Sequence, residues 1–84
     1  MTRYTVVWVR SVEDELVEIW LADNDRNAIT SATHAIDREL GVDADSKGED
    51  LAEGLRSINI PPLRVIFTVS TDDRLVEVVR VARI

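Results

Sequence analysis

The chain has 84 residues, of which 45% are hydrophobic and 31% are charged, and its net charge is −6. This length predicts one domain, residues 1–84, and the composition is typical of a folded domain rather than a disordered segment. The lack of cysteine excludes disulfides and thiolate metal sites, and the acidic charge argues against a uniformly basic nucleic-acid binder.

Residues 4–9 predict a strand, because β-branched and aromatic side chains dominate and Tyr4, Val6 and Trp8 fall on one face. The apolar run at this end spans only residues 5–9, which is too short for the core of a signal peptide or for a membrane span. A small domain without cysteine also fits the cytoplasm better than an oxidising compartment. We therefore expect a cytoplasmic protein that does not contact membranes.

Two amphipathic helices are predicted next, and Ser11 is positioned to cap the first of them. The apolar stripe of the first helix is Val12, Leu16, Ile19 and Trp20. Residues 23–25, Asp-Asn-Asp, break this pattern and offer caps for the second helix, which Gly41 can end. The apolar stripe of the second helix is Ile29, Ala32, Ile36 and Leu40. So short a connection predicts an antiparallel helix hairpin.

The second half of the chain predicts strands. Residues 42–50 are polar and acidic and indicate a solvated loop, whereas residues 55–58 indicate a short strand. Pro61-Pro62 marks the corner before residues 63–70, which alternate regularly between the two faces of a strand. An acidic turn then leads to a valine-rich strand over residues 75–82.

The predicted element order is therefore β-α-α-β-β-β. Both helices must bury an apolar stripe, and the sheet offers one face for them. The C-terminal strands form a meander, so most strand pairs should be antiparallel. The predicted fold class is α+β, with a two-helix hairpin packed on one face of a small, mostly antiparallel sheet whose other face is open.

The last quarter of the chain is where an anionic ligand meets least repulsion. Residues 63–84 carry four arginines against three acids, whereas residues 1–62 carry 13 acids against six bases. Guanidinium groups stay charged and bind phosphates in a bidentate manner, so arginines on an open sheet face are suited to RNA, DNA or an acidic peptide. The alternative interpretation is that these arginines pair with surface acids.

The register of the last two strands decides which arginines are neighbours. If Ser70 pairs with Leu75, Arg64 and Arg83 lie on the open face. Arg56 would lie nearby on the preceding strand. A register slip of one residue would bring Arg80 onto the open face in place of Arg83. The candidate nucleic-acid-binding residues are accordingly Arg56, Arg64, Arg80 and Arg83.

Other chemistry-bearing residues have structural interpretations. His34, the only histidine, lies off the apolar stripe of the second helix and is interpreted as a partly exposed structural residue. Trp8 and Trp20 are interpreted as core anchors between the first strand and the first helix. A faint calcium-loop pattern begins at Asp43, but it has a lysine at position five and Gly54 at position twelve, so it fails. We predict neither a metal nor an organic cofactor.

The whole pattern resembles the RelE/ParE superfamily of toxins of type II toxin-antitoxin systems, also known as plasmid stabilisation proteins. The resemblance covers essentially the full chain and rests on the element order, the stretch GLRSINIPPLRVIFTV and the ending DDRLVEVVRVARI. It implies a protein antitoxin as partner, whose C-terminal segment wraps and blocks the toxin. RelE-like members cut mRNA in the ribosomal A site, whereas ParE-like members poison DNA gyrase.

In RelE-like members, basic residues of the open face hold the RNA and stabilise charge in the transition state. The resemblance assigns this catalytic role to Arg64 and, near the end of the last strand, to Arg83. The chain departs from the RelE pattern at Leu55 and Ser57, where lysines are usual, and it lacks a tyrosine or histidine near Ile84.

Three hypotheses follow. The first is a ribosome-dependent mRNA endoribonuclease that inhibits growth through Arg64 and Arg83. The second is a DNA gyrase inhibitor with no chemistry of its own. The third is a degenerate homologue that binds an antitoxin but is not toxic.

Overall fold

Two helices cover one face of a five-stranded sheet in the computed structural model, which describes residues 1–84. The elements are β1 (Thr5–Trp8), α1 (Arg10–Ala22), α2 (Arg26–Leu40), a 3₁₀ turn (Ala44–Ser46), β2 (Glu49–Ala52), β3 (Leu55–Ile60), β4 (Leu63–Ser70) and β5 (Leu75–Arg83). The strands lie in the order β1-β5-β4-β3-β2. Only β1 and β5 are parallel, so the predicted α+β class with a mostly antiparallel sheet is confirmed.

The core lies between the helices and the central strands. Alternate residues of β4, namely Leu63, Val65 and Phe67, are fully buried, and every residue of the apolar stripe predicted for α2 is buried as well. Each buried valine, leucine, isoleucine or phenylalanine among them contributes about 1.5–3 kcal/mol by leaving water. Strand β1 and the residue before it supply the predicted face of Tyr4, Val6 and Trp8 to the same core. Neither helix is long and apolar enough to cross a bilayer.

The helix ends agree with the sequence prediction only in part. Asp25 caps α2 by accepting a hydrogen bond from the backbone N–H of Ala28 at 3.1 Å, and Gly41 is the C-terminal cap, as predicted. The prediction that Ser11 caps α1 is wrong. Val9 occupies the N-cap and its own N–H donates to β5, so the first strand runs directly into the helix without a side-chain cap.

Strand β2 was not predicted from the sequence. It lies within and just beyond residues 42–50, which we expected to form a solvated loop, and it pairs with β3 at the edge of the sheet. All four of its residues are exposed, so it lacks the alternation of apolar and polar residues that marks a half-buried strand. The observed order is β-α-α-β-β-β-β.

Candidate functional site

The sheet face away from the helices is the candidate functional site. Strand β4 lies in its centre and presents Arg64, Ile66, Thr68 and Ser70 there, because these residues alternate with the buried ones. Opposite pairs in neighbouring strands share a face, so the rest of the surface can be read from the register. This open face further contains Thr5, Val7, Glu49, Leu55, Ser57, Asn59, Leu75, Glu77, Val79, Arg80 and Ala82.

A β-bulge in β5 determines which arginine reaches the open face. Phe67 lies opposite Val78, but the next pair is Ile66 with Arg80, so Val79 is an extra residue in β5. If the register that pairs Ser70 with Leu75 continued along the whole strand, Arg80 would lie opposite Val65, beneath the helices. Burying an unpaired guanidinium is costly, and the bulge avoids this cost while keeping Val81 in the core. The open face therefore has Arg64 and Arg80 as its arginines.

The expected position of Arg83 on the open face is wrong. The bulge turns Arg83 to the helix side, where it pairs with Leu63 across the strands and forms an ion pair with Asp23 in the turn between α1 and α2. The hydrogen bond from Arg83 lowers the pKa of the Asp23 carboxyl, and the same contact raises the pKa of the guanidinium. Arg83 thus ties the end of the sheet to the helix hairpin.

Arg56 also lies away from the open face, contrary to expectation. It is opposite Phe67, so it faces the helix side of the sheet. Its guanidinium donates to the carbonyl oxygens of Lys47 and Gly48 and forms an ion pair with Asp50. These contacts hold the segment that leads into β2, and they leave this arginine engaged in the fold.

Arg64 and Arg80 are diagonal neighbours on adjacent strands, so their Cα atoms lie about 7–8 Å apart. Neither takes part in an ion pair, since those of the chain are Lys47–Glu39, Arg56–Asp50 and Arg83–Asp23. The Nε atom of Arg64 is buried and has no hydrogen-bond partner. Two free guanidinium groups at this spacing can bind a carboxylate or a phosphate.

Two glutamates share this face with the arginines. Glu77 lies opposite Thr68, next to the bulge, and Glu49 lies opposite Ser57 on the far edge. The register that pairs Ser70 with Leu75 already predicts Glu77 on this face. The position of Glu49 follows only from strand β2, which the sequence pattern does not predict. The charged groups of the open face therefore cancel formally, and apolar side chains such as Ile66 lie between them.

The remaining residues that we singled out belong to the helical layer. Trp8 packs against the core, as predicted, and its indole N–H donates to Asp37 at 2.6 Å. Trp20 is 37% exposed, so its interpretation as a core anchor is wrong. It lines a groove between α1 and α2 together with His34. No group of three histidine, cysteine or acidic side chains is arranged to hold a metal ion.

Comparisons with known proteins found one matching family model and similar solved structures, of which two are described here. A sequence model of the family described as "ParE toxin of type II toxin-antitoxin system, parDE" matches residues 6–83. The chain is similar in fold to the toxin-antitoxin complex RelBE2 from Mycobacterium tuberculosis, with a TM-score of 0.80 and 17% identity over 100% of this chain and 94% of that one. It is also similar to the chromosomal ParDE system from P. aeruginosa, with a TM-score of 0.63 and 15% identity over 100% and 99%. No curated protein sequence matches significantly.

Proposed function

The chain belongs to the ParE toxin family of type II toxin-antitoxin systems, and from this membership we propose that it inhibits its target by binding rather than by cutting RNA. The target that best fits the family is DNA gyrase. The binding surface is the open sheet face, with Arg64 and Arg80 as its charged contacts. A protein antitoxin is the partner that holds the toxin inactive.

The observation that carries this proposal is the charge balance of the open face. Two arginines share the surface with Glu49 and Glu77, and the whole chain carries a net charge of −6. An RNA backbone presents a phosphate at every nucleotide, so affinity for it requires an excess of positive charge. A protein surface presents both signs of charge and apolar patches, and the mixed open face complements such a surface.

The arrangement of Arg64 and Arg80 favours a second candidate, the ribosome-dependent mRNA endoribonuclease. Attack of a 2′-hydroxyl on phosphorus builds negative charge, and two unpaired guanidinium groups about 7–8 Å apart at their Cα atoms could stabilise it. In this candidate Arg80 takes the role that the family resemblance assigned to Arg83. The same two residues therefore matter in both candidates, which differ in the target and in whether the protein cleaves it.

The experiment compares the purified protein in two assays. One measures supercoiling of relaxed plasmid by DNA gyrase, and the other maps mRNA cleavage in a translating extract. We expect loss of supercoiling and intact mRNA. Arg64→Ala and Arg80→Ala should each weaken inhibition about tenfold or more, as expected for central charged contacts of an interface. Arg38→Ala, an exposed arginine on α2 that takes part in no ion pair, is the matched control.

Each outcome separates the candidates. Full supercoiling at saturating folded protein would contradict the gyrase proposal. Cleaved mRNA would then favour the endoribonuclease. Inactivity in both assays, together with normal growth on expression, would favour a homologue that keeps only antitoxin binding.

A further inference from the structure

The β-bulge at Val79 makes Glu77 and Arg80 neighbours on the open face. In a regular strand, residues three positions apart point to opposite faces of the sheet. In the bulged strand Glu77 lies opposite Thr68, and Arg80 lies opposite Ile66, the next residue of β4 on this face. The Cα atoms of Glu77 and Arg80 are therefore about 7 Å apart, the spacing of two residues along a strand. Both side chains are exposed, so both reach the same ligand.

Of the two glutamates on the open face, only Glu77 acts strongly on an arginine. Glu49 lies three strands away from Arg80 in the same row across the sheet, which is about 14 Å, and two strands away from Arg64. The charges of exposed groups are largely screened beyond about 8 Å at physiological ionic strength, so Glu49 has little effect. Glu77 lies within this distance of Arg80 and takes part in no ion pair. Its carboxylate therefore acts on any ligand that approaches Arg80.

A phosphate backbone cannot satisfy this pair of opposite charges. A phosphate bound to Arg80 would lie near the Glu77 carboxylate, and repulsion over about 7 Å lowers affinity roughly threefold in water and more at the lower effective dielectric of a protein surface. The neighbouring phosphates of the backbone are negative as well. A protein can instead place an acidic side chain at Arg80 and a basic one at Glu77, so that both contacts are favourable.

We propose that Glu77 determines the specificity of the open face: it discriminates against a phosphate backbone at Arg80 and favours a protein surface with an acidic and a basic side chain side by side. Such discrimination works by repelling the wrong ligand as well as by attracting the right one. The inference rests on the proposed function, because it takes the target to be a protein. It adds the chemistry that this target must present.

The first test is a titration with single-stranded oligouridylate at low ionic strength, where weak phosphate binding is measurable by fluorescence anisotropy. Glu77→Gln removes the charge and keeps the shape of the side chain, and its exposed position should leave the melting temperature unchanged. We expect this variant to bind the RNA about threefold more tightly or better. Glu15→Gln, at an exposed glutamate of α1, changes the net charge equally and should raise the affinity less. Equal affinities of the parent and Glu77→Gln, including no binding by either, or equal gains from the two substitutions, would overturn the proposal.

A second comparison locates the effect at Arg80. On an Arg80→Ala background no guanidinium holds a phosphate beside Glu77, so Glu77→Gln should raise the RNA affinity less than it does in the parent. A gain of the same size on both backgrounds would mean that Glu77 acts only through the net charge of the chain, and the proposal would then be wrong.

The gyrase supercoiling assay should respond in the opposite direction. Glu77→Gln should weaken inhibition about threefold or more, because a contact with a basic group of the target is lost while the RNA affinity rises. A structural defect would lower both. An inactive parent would contradict the proposed function, and the RNA titration would still decide whether Glu77 repels phosphate. Unchanged inhibition by Glu77→Gln, with an active parent, would contradict this inference alone.

Discussion

The β-bulge at Val79 can be tested by comparing two valines of β5. In a regular strand Val79 and Val81 would share a face and respond alike to truncation. In the bulged strand Val81 is 3% exposed and lies opposite Val65 under the helices, whereas Val79 is half-buried on the open side. Truncation of each to alanine therefore has different consequences.

The expected difference follows from burial. Val81→Ala removes two buried methyl groups, which cost about 0.8 kcal/mol each, and leaves a cavity, so the free energy of unfolding should fall by about 2–3 kcal/mol. Val79→Ala loses only partial burial and should cost about 1 kcal/mol or less. The loss of strand propensity is common to both variants and cancels in the comparison.

Urea and thermal denaturation measure both variants directly. For a domain of this size, a change of 1 kcal/mol shifts the melting temperature by about 4–8 °C, so the two effects are well resolved. Equal losses in the two variants would mean that β5 is regular and that both valines lie on one face. The reasoning that places Arg80 on the open face would then be refuted.

Two further predictions concern the turns that position the sheet. Gly48→Ala should cost at least about 3 kcal/mol in urea denaturation, because its φ is +69° and a Cβ there would lie 2.1 Å from the carbonyl oxygen of Ser57. Gly54→Ala, at a φ of +80° but with no heavy atom within 4 Å, should cost only about 1–2 kcal/mol, and equal costs would contradict this close approach. Arg83 lowers the pKa of the Asp23 carboxyl, so the ion pair stabilises the fold fully above about pH 4, the ordinary pKa of an aspartate. This stabilisation is lost as the pH falls through the lowered pKa of Asp23. Asp23→Asn should therefore lower the melting temperature at pH 7 and flatten its decline in acid, and an unchanged acid profile would argue against the ion pair.

The local periodicity of the sequence is sufficient to predict most of the helical layer and the inner strands of the sheet. The stripe of α2 from Ile29 to Leu40 and the alternation in residues 63–70 both reflect which side chains must leave water, a property that neighbouring residues determine. The same reasoning contained a signal against the regular register of β5, because that register buries Arg80 opposite Val65. Strand β2 gave no such signal, since none of its residues is buried.

The candidate site depended on contacts that only the tertiary structure decides. The bulge at Val79 exchanges the faces of Arg80 and Arg83, and a one-residue shift of this kind is set by the neighbouring strand and the helices above it. The hydrogen bonds from Arg56 to the carbonyl oxygens of Lys47 and Gly48 form only because β2 folds back onto β3. The sequence by itself determined the fold class, which follows from hydrophobic periodicity, whereas the open face was determined by strand register, which is a property of non-local pairing.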